Sequence, residues 1–490
     1  MSDSLQLFKE AGITLPLKEH QQRIADRLKN ETGVIAAHST GTGKSLSGIG
    51  AYQSLGLPTT IVVPAALRKN YQKELKKFLG KIPNDISIQS QQNIARKGFK
   101  DVPGGLMIVD EAQKLNNPES KLYKELRKSK AAKRLLLSGT PVQNAPYDIS
   151  PLVNLAANKT LLPENPREFL SKYVTQKQHD PGFFAKLRGA PSGGMVDTLQ
   201  HKDELRNILQ KYIDVHQLGK DENYPTASEE VVKVPMNQHQ TDIYNTMMSK
   251  APWLVRQRVK WGLPAGMKDI EKMKAFLTGP REVGDSPAMF TKSSTVGDSP
   301  KIDAAIASMK QRMETDPNFK SVMYSNFVNA GINPAKKRLE EENIPYGEFS
   351  GNMSPRDRNK MVNQYNNNKL KTLLLSQAGA EGLDLKGTKL IQILEPHFQV
   401  PREKQVEGRG IRYMSHAALP EDERHVHIQR FMAEPRGNFM QRLFKQNNPG
   451  VDEYIYNAAR NKDRLNNQLM ELADPSKNPS IFQRMLHRGE

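Results

Sequence analysis

The residues with the clearest chemistry lie in one short run, Thr40-Gly41-Thr42-Gly43-Lys44-Ser45. Glycines at this spacing let the backbone wrap closely around phosphate oxygens. The N–H groups of such a loop, with the first turn of a following helix, form an anion cradle. Lys44 would reach the outer phosphates of a nucleoside triphosphate and Ser45 would ligate Mg²⁺. His38 stands where the pattern usually begins with glycine. Further on, Asp110-Glu111-Ala112-Gln113 follows an apolar run. An aspartate at a strand end can hold the magnesium shell, and the adjacent glutamate can polarise the attacking water. Ser138-Gly139-Thr140-Pro141 ends another such run, where small hydroxyl residues could couple a nucleotide site to a second face; alone it would be an ordinary turn. Upstream, the amide of Gln21 can offer both a donor and an acceptor to the N6/N7 edge of adenine.

A phosphate loop alone binds nucleotide; fast hydrolysis also needs positive charge against the γ-phosphate. Gln405-Val406-Glu407-Gly408-Arg409-Gly410-Ile411-Arg412 puts Arg409 and Arg412 three apart, on one face of an expected helix. Loss of an arginine finger typically costs on the order of 10³–10⁵ in rate. Before it, Leu375 to Asp384 is a loop of small residues that permits close backbone approach to phosphodiester or nucleotide, with Asp384 able to meet ribose or an arginine. In isolation, an Asp-Glu pair is usually a solvated turn and paired arginines are usually surface charge. Their placement after buried strands is what argues for chemistry.

The elements that must position these residues are short buried runs: Val34–Ala37, Thr59–Val63, Leu106–Val109, Arg134–Leu137, Lys320–Tyr324, Thr372–Leu375 and Leu390–Leu394. Each leads through polar or small residues into a helix-compatible stretch, the pattern of parallel strands covered on both faces. Ligands of such sheets sit beyond the carboxyl ends of the strands, which is where the chemical residues fall. The runs form two groups, so the expectation is an α/β chain with two parallel-sheet lobes in tandem and helical insertions. The expected boundaries are 1–149 for the first lobe, 150–300 for a helical insertion and inter-lobe linker, 301–473 for the second lobe and 474–490 for a tail. Within the insertion, 150–220 reads as helices with Pro/Gly breaks, 251–278 as basic helix and 279–300 as a Gly/Pro/Ser linker. That linker carries Val283-Gly284-Asp285-Ser286-Pro287 and the same pentapeptide again at 296–300, read as linker composition.

Composition bounds the reading. A chain of 490 residues suits two or three domains. With 37% hydrophobic residues it can build packed cores, and no window approaches a membrane span. The absence of cysteine excludes disulfides, thiol nucleophiles and zinc fingers; the 11 histidines show no paired metal spacing, so no zinc is expected. A formal charge of +19 attracts polyanions and points to nucleic acid. Pro252 to Trp261 holds both tryptophans among basic residues. Aromatics so placed can stack on bases, but two residues eight apart on a helix are read here as core packing.

The order of these segments resembles the superfamily 2 helicase-like ATPases, most closely the Swi/Snf-related DNA translocases. The resemblance rests on VVPAALRKNYQKELKKF at 62–78, LLLSGTPVQN at 135–144, VPMNQHQTDIY at 234–244, SPKIDAAI at 299–306, LLLSQAGAEGLDL at 373–385 and QVEGRGIRY at 405–413, and it spans about 15 to 470. Departures include Gln113 where the family usually has His, and Glu381 and Asp384 where glycine and asparagine are usual. Tyr413-Met414-Ser415-His416 stands in place of Ile-Gly-Gln, and LEPHF at 394–398 is closer to virus and phage versions. The resemblance implies two RecA-like lobes, ATP and Mg²⁺ as cofactors, and catalytic roles for Lys44, Asp110, Glu111, Gln405, Arg409 and Arg412. It implies nucleotide binding by Gln21, Thr40, Gly41, Thr42, Gly43, Lys44, Ser45, Gly382 and Asp384, with the metal on Ser45 and Asp110. Nucleic acid would meet Lys69, Asn70, Ser325, Asn326, Ser376 and Gln377. The function implied is a DNA-dependent ATPase that translocates along double-stranded DNA and displaces bound factors. Alternatives are a strand-separating DNA or RNA helicase, and a nucleotide-gated binding protein without turnover. The expected protein is monomeric and intracellular, in the cytoplasm of a phage-infected prokaryotic cell or in a eukaryotic nucleus.

Overall fold

The computed structural model describes residues 17–39, 41–179, 194–217, 224–291, 299–349, 353–377, 383–437 and 449–477. The chain divides into two compact units, Met1–Thr175 with Thr198–Gly219 and Arg464–Glu490, and Gln176–Asp197 with Lys220–Asp463.

The first unit is built on six parallel strands: β1 (Gly33–His38), β2 (Thr59–Val63), β3 (Ile86–Ser90), β4 (Leu106–Val109), β5 (Lys133–Ser138) and β8 (Ile213–His216). They lie in the order β3-β2-β4-β5-β1-β8. Helices α1 (Glu19–Asn30), α2 (Lys44–Leu55) and α3 (Arg68–Leu79) supply Ile24, Leu28, Ile49, Tyr71 and Leu75 to a core shared with Val34, Ala36, Ile61 and Leu135. Gly33 is required by packing: a Cβ there would stand 2.3 Å from the Ala156 carbonyl oxygen. A separate two-stranded pair is formed by β6 (Val174–His179) and β7 (Gly194–Leu199).

The second unit repeats the construction with β9 (Thr226–Pro235), β10 (Ser321–Ser325), β11 (Tyr346–Phe349), β12 (Thr372–Ser376), β13 (Leu390–Ile393) and β14 (His425–Glu434), all parallel, in the order β11-β12-β10-β13-β14-β9. Strand alternation divides its core in two. Met323 and Leu374 enter one cluster, with Ile302, Ile306 and Met309 of a helix over Pro300–Thr315; Val322, Tyr324, Leu373 and Leu375 enter the other, with Phe349 and Tyr365. Both faces are therefore covered, as unbroken apolar strands require. All seven expected strands are present, and the two RecA-like α/β lobes are the observed fold class.

Two stretches differ from the sequence reading. Strands β6, β7 and β8 occur within 150–220, where only helices were expected. β8 has four residues, Ile213-Asp214-Val215-His216, too few and too polar to stand out, and it owes its conformation to pairing with β1. The expected linker from 279 is helix as far as 285, with Pro280 inside it. Val283 and Asp285 are 0% exposed, and Lys301 pairs with Asp285 at 2.5 Å, so burial and charge override the Gly/Pro composition. The first pentapeptide copy is thus a packed helix end. The second begins outside the described residues, and its Ser299 and Pro300 open the next helix.

Candidate functional site

β1 delivers the chain to the phosphate loop and α2 takes it away. Between them Gly41 (φ +90°) and Gly43 (φ +78°) adopt left-handed backbone, and a Cβ on Gly43 would stand 2.7 Å from the Gln21 amide nitrogen. Lys44 Nζ donates to the carbonyls of His38 (3.0 Å) and Ser39 (3.2 Å), and Thr42 Oγ1 donates to Ser39 O (2.8 Å). Ser45 follows in the first turn of α2. Thr40 lies outside the described residues. Gln21 is buried: its Nε2 donates to Thr42 O at 3.1 Å and its Oε1 accepts from Lys18 N at 3.0 Å. Its amide therefore props the loop from α1.

A histidine cluster that the sequence did not reveal stands behind this loop. The rings of His20 and His216 stack at 3.9 Å, and His38 meets both edge-on. His20 Nε2 bonds Thr42 O at 3.0 Å, and Ser39 N donates to His216 O at 3.0 Å. His38 Nε2 bonds Asp214 at 2.8 Å, and Arg23 grips the same carboxylate with two bonds of 2.7 and 2.9 Å. Burial alone would raise the Asp214 carboxyl, but the bonds from His38 and Arg23 hold it well below the usual carboxylate range. Burial and the neighbouring imidazoles push His216 down to about 4, and burial lowers His20 as well. Among the described residues no group of three or more His, Cys, Asp or Glu side chains could hold a metal ion.

The sheet order sets β5 between β1 and β4, so Lys44, Ser138 and Asp110 follow neighbouring strand ends. Burial and the adjacent Glu111 raise the Asp110 carboxyl to about 6, with Lys44 close enough to oppose them. A buried carboxyl raised in this way favours a cation beside it. Glu111 sits at φ +53° and donates its N–H to Asp110 Oδ1 at 2.9 Å. Gln113 Nε2 donates to Glu111 Oε2, and Ser138 Oγ donates to Gln113 Oε1 at 2.7 Å. This chain joins the Glu111 carboxylate to the end of β5. Gln113 was legible only as a departure from histidine; its role depends on a partner 25 residues away.

In the second unit, helices α4 (Trp253–Trp261), α5 (Met267–Asp285) and α6 (Pro300–Thr315) precede α7 (Val400–Gly410). Arg409 lies in its last turn and Gln405 one turn earlier. Arg412 is not on the same helical face, as the spacing had suggested: the helix stops at Gly410 because Ile411 is extended. Arg412 Nε instead turns back to Gly408 O at 3.0 Å, and its Nη1 lies 3.5 Å from Asp384. Gly382 lies outside the described residues. α7 is braced from behind by Arg430 of β14, 3% exposed, which pairs with Glu403 (2.5 Å), Glu407 and Glu229 (2.5 Å). Burial pushes the Glu403 carboxyl up while Arg430 opposes it.

The expected nucleic-acid contacts divide into two kinds. Lys69 and Asn70 are exposed in the first turn of α3, and Gln377 is exposed after β12. Ser325 is 0% exposed and its Oγ bonds Glu395 and Phe327 O, so it cannot meet a strand directly. Asn326 donates its Nδ2 to the same Glu395 at 2.9 Å, and Ser376 is buried with its Oγ on Phe349 O at 3.3 Å. Burial and Asp285 push the Glu395 carboxyl well up, and sequence reading had passed over it. One tryptophan also differs from expectation: Trp253 is 59% exposed, not core, while Trp261 is half-buried.

Residues 84–283 match the SNF2-related domain and residues 301–414 the helicase conserved C-terminal domain. A protein of Acanthamoeba polyphaga mimivirus that bears the name of an ATP-dependent RNA helicase is 30% identical, over 93% of this chain and 96% of its own. The termination factor NPH-I homolog of African swine fever virus is 25% identical over 91% of this chain and 76% of its own. A chromatin remodeling factor of Schizosaccharomyces pombe is 23% identical over 77% of this chain and 29% of its own. No described helix is long and apolar enough to cross a membrane. With a phosphate loop, an acidic strand end and an arginine-bearing helix set on two RecA-like sheets, the chain belongs to the SNF2-related, helicase-like ATPases.

Proposed function

We propose that this ATPase couples hydrolysis to translocation along double-stranded DNA and displaces factors bound there. The observation that carries the reading is the run of hydrogen bonds from Glu111 through Gln113 to Ser138, which ties the hydrolytic end of β4 to the neighbouring strand end. A coupling of this kind is what a motor needs beyond nucleotide binding. Lys44 and the loop amides hold the outer phosphates, Gln21 supports that loop from α1 rather than reading adenine, Asp384 contributes to nucleotide recognition, and Glu111 polarises the attacking water. Ser45 and Asp110 suit Mg²⁺, which when bound would neutralise charge on the phosphates. Gln405, Arg409 and Arg412 are the second unit's contribution to stabilising the transition state. Lys69, Asn70 and Gln377 face the strand, with Ser325 and Ser376 acting from beneath the surface. The charge of +19 supports a polyanionic track, and contacts to phosphate make movement independent of sequence.

The name of the mimivirus relative supports a second reading, strand separation on RNA or DNA. One comparison separates them: ATPase stimulation by duplex DNA, single strands and RNA, with third-strand displacement measured against fork unwinding. Stimulation by duplex and displacement without unwinding are expected; efficient fork unwinding, or stimulation by RNA alone, rejects duplex translocation. Lys44→Ala and Arg412→Ala are each expected to abolish nucleic-acid-stimulated turnover. Near-normal turnover in either variant would show that the residue has been misassigned.

A further inference from the structure

Both tryptophans of the chain lie on α4. The inner face of this helix is anchored: Val255 and Val259 join a buried cluster with Met273, Leu277 and Tyr454, and Arg258 pairs with Asp269 at 2.8 Å. These contacts leave α4 one rotation about its axis. With about 100° between successive residues, that rotation turns Lys260, Trp253, Gln257 and Trp261 outward as one contiguous strip, with Arg256 and Leu254 on its borders. Trp253 is 59% and Leu254 48% exposed. Trp261 is half-buried; its Nε1 donates to Gln257 at 3.1 Å, and the Lys260 ammonium lies 5.5 Å from its ring.

We propose that α4 is a stacking platform for unpaired bases of a nucleic-acid strand. The proposal rests on the nucleic-acid reading above and adds a site apart from the strand-end loops. An indole face accepts any base, and flanking cations take the phosphates on either side of it. A base inside intact duplex has both faces covered by its neighbours, so the platform selects bases already out of the stack. Charge argues for this occupant over a protein one: Arg256 and Lys260 are exposed and the helix contains no acidic residue. The enzyme would thereby be held where duplex adjoins an open strand.

Since the two indoles are the only ones in the chain, tryptophan emission reports this helix alone. The full-length protein is titrated with fluorescein-labelled oligothymidylate and with relaxed closed-circular duplex, following anisotropy or gel shift for binding and tryptophan emission for stacking. Oligothymidylate is expected to quench emission with the midpoint of its binding curve, while the duplex binds without quenching. Trp253→Ala should weaken oligothymidylate binding by about tenfold, Trp253→Phe by less, and neither should change duplex binding or turnover without nucleic acid. Binding of oligothymidylate with unchanged emission and undiminished affinity in Trp253→Ala overturns the platform and leaves the motor reading intact. Failure of both nucleic acids to bind removes the motor reading and the platform with it.

Discussion

Glutamine at position 113 links the ends of β4 and β5 through an uncharged amide. The amide donates to Glu111 and accepts from Ser138, so it orients the carboxylate without competing for its charge. Gln113→Leu keeps the volume and removes both bonds. Turnover is expected to fall by about 10–100-fold, as for other groups that orient a reacting side chain, with the KM for ATP nearly constant; a rise in KM at unchanged kcat would place Gln113 in binding instead. The histidines behind the phosphate loop give a second prediction. His216 has a folded pKa of about 4, below the ordinary imidazole value of about 6.5. The unfolded chain therefore binds more protons between those values, and folded stability falls as pH drops through that window. His20 acts in the same direction, and at lower pH protonation of Asp214 removes a further contribution. Circular-dichroism melts should show Tm flat above neutrality and declining below about pH 6.5, with a shallower decline in His216→Asn. An identical slope in that variant would discount the stack as the source.

Two helices that carry candidate site residues, α7 and α1, are held in place by buried charge. α7 bears Gln405 and Arg409, while Arg430 joins three carboxylates, among them Glu403 at 1% exposure. Removing one partner of such a buried network leaves charge uncompensated, at a cost of about 3–5 kcal/mol. Arg430→Met should therefore lose about that much stability in denaturant melts and lower kcat through the displaced α7. If stability is unchanged, the network contributes only geometry. α1 is held comparably, with Arg23 and Arg27 on Asp214 at the edge strand β8. The loop prop at Gln21 depends on that helix staying in place.

For the whole molecule, charge is the property that reaches furthest. With 72 Lys and Arg against 53 Asp and Glu, duplex affinity should fall with log salt at a slope of about −0.9 per phosphate neutralised. Apparent affinity for duplex, read from stimulation of turnover over a salt series, should give a slope steeper than about −3; a flat response would deny a phosphate track. Much of this protein was legible without coordinates because the signals are local. The seven apolar runs, the Gly41/Gly43 spacing and the acidic pair after β4 each depend on neighbours within a few residues, and backbone sterics and burial then leave few alternatives. What the sequence by itself determined was thus two parallel-sheet lobes and the residues at their strand ends. Tertiary structure alone decided whether α5 continues through Pro280, that β8 exists, that Asp214 is gripped by an arginine 191 positions away, and that Trp253 faces water. Each of these is set by partners remote in sequence, whose desolvation and pairing energies exceed the preferences of the local chain.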